Sequence, residues 1–226
     1  FERADLIDSF PQTGRLRSYV SDETAFNFIK RAYEKKGSDP LFFFEVTMQN
    51  HSGYTDKFDN FTPDVALKDG GTDAINTYLS LMKQTDTALE SLVRYFSEQE
   101  EKTIIVFFGD HQPTDSVVEP VLQANGKSGA TLTDEEQKDR YVVPFVIWAN
   151  FDIAEEQDVE ISANYLSGKV MQTAGLPLSP YQQYLEEFRQ EIPVISAEET
   201  RYVDEFGSGE DTLLSYQKLQ YYMLFQ

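Results

Sequence analysis

Thr103-Ile104-Ile105-Val106-Phe107-Phe108-Gly109-Asp110-His111-Gln112-Pro113 is the stretch on which the fold turns. Ile104 to Phe108 is short, β-branched and aromatic, with no alternation of polar residues. It therefore reads as a strand covered on both faces. Gly109 and Pro113 end the run and favour a turn. Upstream, Leu41-Phe42-Phe43-Phe44-Glu45-Val46-Thr47 follows Pro40 and reads the same way. Downstream, Val142 to Ala149 is a third such run, with Pro144 suited to a strand start or a sheet edge.

Helical spacing fills the intervals. Ser21 or Asp22 can cap a helix that carries Ala25, Phe26, Phe28, Ile29, Ala32 and Tyr33, with Lys35-Lys36 at its end and Gly37 as the stop. The strongest signal spans 73 to 98, where Ile75, Tyr78, Leu79, Met82, Leu89, Leu92, Val93 and Phe96 follow the i, i+3, i+4, i+7 pattern. A helix over Asn164 to Ala174 stops at Gly175 and Pro177, and another opens at Ser179-Pro180. Asp211 to Phe225 is a candidate last amphipathic helix, and the polar residues 114 to 140 form a surface excursion or lid. Strands alternating with helices predict an α/β fold with a mostly parallel sheet and helices on both faces. In such sheets chemistry gathers at the carboxyl ends of strands. His51 and the Asp110-His111 pair each stand just past such an end.

Composition narrows the function classes. The 226 residues include 17 Phe and 13 Tyr, enough apolar bulk for a packed core. With 39 acidic and 19 basic side chains the formal charge is −20, which disfavours nucleic acid and anionic lipid surfaces and serves solubility. No apolar run approaches the ~18 residues of a membrane span. There is no cysteine, hence no disulfide framework and no thiolate ligand or nucleophile.

The chemistry-bearing residues are few. Asp110 and His111 combine a carboxylate with a neutral nitrogen, a mixture that suits a zinc or manganese ion if the chain turns at Gly109. His51, in Gln49-Asn50-His51-Ser52-Gly53, is either a solvated turn residue or a donor to an anionic oxygen, with Asn50 as a neutral helper. Trp148 and the aromatics of 41 to 44 read as core. There is no Gly-x-Ser-x-Gly elbow and no phosphate-cradling glycine loop. Two metal ligands fall short of the three that a catalytic site needs.

At these residues a family resemblance enters. Phe42 to His51 is similar to the strand-then-Asn-His segment of the lipoteichoic acid synthase and sulfatase-like family, within the alkaline phosphatase superfamily. Thr103 to Pro113 resembles that family's second metal-binding strand. The long helix between them, the strand Val143 to Asn150 and the helix ending Ala174-Gly175-Leu176-Pro177 agree in order and spacing. The resemblance covers residues 15 to 195. The domain reading is 1–195 for the C-terminal portion of a sulfatase-like catalytic domain and 196–226 for an extension with a helix.

The resemblance implies a membrane-anchored enzyme working at the extracellular face of the cell membrane. It implies transfer of phosphoglycerol from a phosphoglycerol lipid, or hydrolysis of phosphate or sulfate esters. It implies a threonine nucleophile and one divalent metal, manganese foremost, with zinc, magnesium or calcium as alternatives. Asp110 and His111 map onto two metal ligands, and His51 with Asn50 onto the substrate-binding position. The family's nucleophile and an upstream acidic ligand lie well before the strand that holds the histidine. Only forty residues precede Leu41 here, and Thr13 and Thr24 stand in other contexts. The expectation is therefore an incomplete, alkaline-phosphatase-like domain without its nucleophile, inactive alone and prone to self-association at an uncovered sheet edge. A sulfatase or phosphatase proper, and a binding module without catalysis, stay open as alternatives.

Overall fold

β1 (Arg15–Leu16) and β2 (Tyr19–Val20) open the described chain as an antiparallel hairpin, Arg15 opposite Val20 and Leu16 opposite Tyr19. Arg17, in its turn, has a φ of 55°, a left-handed conformation that side chains other than glycine seldom adopt. The computed structural model describes residues 14–68, 70–196, 200–201 and 209–225. Thr13 and parts of the 196–226 extension lie outside the described residues.

Ser21 caps α1 (Asp22–Lys35), its hydroxyl accepting from the Thr24 N–H at 3.2 Å. Asp22 and Glu23 in the first turn and Lys35 in the last complement the helix dipole. Thr72 caps α2 (Asp73–Ser97) in the same way. The buried stripe of α2 runs through Ala74, Thr77, Leu81, Thr85, Ala88, Leu92 and Phe96, spaced three and four apart. It shares Ile75, Leu92 and Phe96 with the stripe the sequence suggests but is turned toward the small and polar residues, and Met82 is exposed. The reason is size: small residues let α1 pack closely, and the hydroxyls of Ser80 and Thr85 find partners inside.

Leu41 to Thr47 departs from the expected strand. It joins no strand among the described residues, although Phe42, Phe44 and Val46 are exposed in the period of two that an extended backbone gives. Apolar, aromatic composition shows strand propensity but says nothing about whether a ladder partner lies alongside. Phe43 packs edge-on to Phe28 of α1, ring centroids 6.1 Å apart.

β3 (Ile104–Phe108) is the expected strand. α3 (Asp115–Ala124) and α4 (Asp134–Lys138) occupy the polar excursion after it, and β4 (Phe145–Ala149) is the other expected strand. The two pair antiparallel, Ile104 opposite Ala149 and Phe108 opposite Phe145. Every described strand pair is antiparallel, so the parallel order foreseen from the sequence is absent among the described residues. A continuous apolar run carries no direction, and a returning excursion pairs antiparallel without a crossover. Nor is the pair covered on both faces as the run suggests: no residue of β3 or β4 is buried, and Phe108 and Val146 are exposed. α5 (Ala163–Thr173), α6 (Pro180–Glu191), β5 (Val194–Ile195), β6 (Thr200–Arg201) and α7 (Gly209–Phe225) complete the chain. Ser179 and Gln182 form a capping box on α6, with Pro180 at its first position. Gly175 ends α5 with a φ of 67°.

The chain divides into two compact units. One holds the described residues up to Glu101 with Gly109–Val143, around Tyr54, Ala74, Ile75, Leu81 and Val117. The other holds Lys102–Phe108 with the described residues from Pro144 on, around Tyr165, Leu185, Phe188, Ile192 and Tyr216.

Candidate substrate and metal site

His51 closes a tight turn, its N–H donating to the Met48 carbonyl at 3.1 Å. The turn is gripped from outside by Arg17. One guanidinium nitrogen donates to the Gln49 carbonyl at 2.8 Å and the His51 carbonyl at 2.7 Å, and the other to the Gly53 carbonyl at 3.3 Å. Gly53 needs to be glycine: its φ is 95°, and a Cβ would come within 3.0 Å of an Asp56 carboxylate oxygen. Buried Arg17 has its charge against the faces of Tyr19 and Tyr54, 5.4 and 5.8 Å from the ring centroids. Tyr54 adds an O–H bond to the Asn50 carbonyl at 2.7 Å.

The inner side of the turn meets a buried polar network. The Thr85 hydroxyl donates to Asp22 Oδ2 at 2.6 Å and accepts from the Asn50 amide at 2.8 Å and the Gln49 amide at 3.1 Å. Gln49 Oε1 accepts the Asp22 backbone N–H at 3.0 Å. Asp22 is 1% exposed, and its Oδ1 is buried with no hydrogen bond among the described residues. Burial pushes its carboxyl up from the ordinary value of 3.8, while the hydroxyls of Thr85 and Thr47 pull it back part of the way. Asn50 thus directs its amide inward, and His51 stands at the exposed side of the turn.

Asp110 and His111 lie in the same unit, past Gly109, whose Cβ would meet Val143 at 3.2 Å. Gln112 anchors this turn by donating to the Asp139 and Val142 carbonyls at 2.9 Å each. His111 Nδ1 lies 2.7 Å from the Gln112 carbonyl. A carbonyl only accepts, so Nδ1 carries the proton and the Nε2 lone pair is available to a metal. Asp110 Oδ2 lies 3.6 Å from that Nε2, a separation one ion can bridge with two bonds of about 2.1 Å. The Asp110 and His111 side chains are 78% and 69% exposed, so both are open to an incoming ion. The pair fits a divalent ion as two ligands. Among the described residues no group of three or more such side chains gathers around an ion.

No described hydrogen bond or ion pair joins the His51 turn to the Asp110-His111 pair. Arg17, Tyr19, Asp22, Gln49 and Thr85 are the site residues that sequence reasoning missed. The only local signal was Asp22 beside a capping serine.

A sulfatase family model matches residues 2–176. The chain is 28% identical over 186 residues to a protein of Rhizobium meliloti (strain 1021) named for cyclic beta-1,2-glucan modification, covering 79% of this chain and 28% of that protein. It is 28% identical over 117 residues to the capsular polysaccharide biosynthesis protein RkpI of the same organism, covering 50% of this chain and 20% of RkpI. The chain thus spans less than a third of the length of these curated relatives. Among solved structures, Streptococcus pyogenes phosphoglycerol transferase GacH in complex with sn-glycerol-1-phosphate matches with a TM-score of 0.64 at 17% identity, covering 94% of this chain and 51% of that one. The likeness is one of fold.

Proposed function

Because this chain belongs to the sulfatase family, with an alkaline-phosphatase-like fold, we propose that it is the part of a phosphoglycerol transferase that helps hold the metal and the substrate. The observation that carries this reading is the Asp110–His111 pair: a carboxylate oxygen 3.6 Å from an imidazole nitrogen whose ring partner is tied to a carbonyl. Asp110 and His111 are two ligands of a divalent ion, manganese by resemblance. Bound there, that ion supplies a Lewis acid that offsets charge on the transferred group. His51 donates a hydrogen bond to an anionic ester oxygen, and Asn50 serves the same site by holding the turn. The threonine nucleophile belongs to a segment outside these 226 residues, as the chain's 28% share of its first relative supports. The parent enzyme is membrane-anchored and acts on phosphoglycerol lipid outside the cytoplasm. No described helix is long and apolar enough to cross a membrane.

The test uses the 226-residue chain with manganese. Weak binding, seen as loss of the free-ion electron paramagnetic resonance signal and abolished by His111→Ala, is expected. So is no turnover of phosphate, sulfate or phosphoglycerol esters. Turnover that vanishes in Asp110→Ala would show a complete site and overturn the partial-site reading. In the full-length protein, product formed on a glycerol acceptor separates transfer from hydrolysis, the alternative the family name favours.

A further inference from the structure

We propose that Tyr19 is a positioning residue that fixes the tautomer of His51, leaving Nε2–H as the donor the ring presents to an anionic ester oxygen. Two hydroxyls surround one nitrogen of that ring. Tyr19 Oη and Ser52 Oγ each lie 3.3 Å from His51 Nδ1, and the Tyr19 and His51 rings are 5.7 Å apart, tilted by 56°. A neutral imidazole offers one N–H and one lone pair, so the role of Nδ1 decides which face can donate.

Arg17 decides that role. Its guanidinium carbon lies 5.4 Å from the centroid of the Tyr19 ring, and a cation against the aromatic face draws density from the phenol. The hydroxyl becomes a better donor and a poorer acceptor. It donates to the Nδ1 lone pair, and the proton resides on Nε2. The same guanidinium holds the His51 carbonyl at 2.7 Å, so backbone and ring are set by one side chain and its aromatic neighbour. His111 is the mirror case: its Nδ1 donates to the Gln112 carbonyl at 2.7 Å, and Nε2 keeps the lone pair. The chain's two histidines are thus held in opposite tautomers, one a hydrogen-bond donor and the other a metal ligand. The donor's use rests on the proposed substrate role of His51, whereas the tautomer itself does not.

The experiment reads the rings directly. Long-range proton–nitrogen correlation spectra of the ¹⁵N-labelled 226-residue chain, at pH about 8 where imidazole is neutral, separate protonated from unprotonated ring nitrogens. A His111→Gln variant assigns the two signals. Nε2–H for His51 and Nδ1–H for His111 are expected. Tyr19→Phe, with a native amide spectrum, is expected to shift the His51 tautomer ratio about fivefold toward Nδ1–H, the change one ordinary hydrogen bond supports. A wild-type His51 protonated on Nδ1, or a ratio untouched by Tyr19→Phe, overturns the proposal. If Tyr19→Phe does not fold, the wild-type tautomer decides. Turnover of a full-length His51→Gln enzyme tests the substrate role separately: retained activity would remove that role and leave the tautomer standing.

Discussion

Asp22 carries its carboxylate into the interior directly beneath the His51 turn, where Thr85 and Gln49 meet it. Burial raises its folded-state pKa above the ordinary 3.8. The folded chain therefore keeps a proton that the unfolded chain releases. This contribution is fully present below about pH 4 and is lost as pH rises through the raised value. Asp22→Asn, which mimics the protonated acid, is expected to remove that loss. Its urea midpoint should match wild type near pH 4 and exceed it at pH 7, and an equal fall in both proteins would contradict the assignment. At this scale the sequence exposed the outward residues and hid the inward ones. His51 and Asp110-His111 stand out because each follows an apolar run and a turn. Arg17, Gln49 and Thr85 do not, because their roles exist only once a hairpin and a helix distant in sequence close on the same turn.

Among elements, α2 shows how far periodicity reaches. Its extent follows from spacing, and so do the bounds of α1 and α5 and the start of α6 at Ser179-Pro180. Which face turns inward follows only in part: Ile75, Leu92 and Phe96 of the expected stripe are buried, whereas Met82 is not. Leu81 is 0% exposed and its neighbour Met82 is 38% exposed, although Met82 belongs to the apolar stripe read from the sequence. Polar Ser80 and Thr85 rotate the helix, because a hydroxyl that binds two backbone N–H groups or a carboxylate is as useful inside as a leucine. Leu81→Ala should cost about 2–5 kcal/mol of unfolding free energy by urea titration, and Met82→Ala less than about 1. The reverse order would place the buried face elsewhere. For 41 to 47 the limit is different: strand propensity is local, and the ladder that realises it is not.

For the whole molecule the governing quantity is charge. A formal −20 on 226 residues repels itself when folded more than when unfolded and spread out. Raising sodium chloride from about 10 to about 150 mM shortens the screening length from about 30 to about 8 Å. The melting temperature is therefore expected to rise with salt. A fall would mean that attractive surface pairs such as Lys83–Asp64, 2.5 Å apart, outweigh the net repulsion. The sequence revealed the family, since motif order and spacing survive where identity is low. It did not reveal the antiparallel pairing of β3 and β4, because burial patterns carry no direction.

One guanidinium binding three carbonyls of the 49–53 turn has a consequence for engineering. The turn is not a portable cassette. Transplanted alone into another scaffold, or exchanged for a relative's loop, it would arrive without the hairpin that shapes it. Residues 15 to 20 must travel with it, so any chimera or library at this site has to be drawn across two separated stretches of the gene.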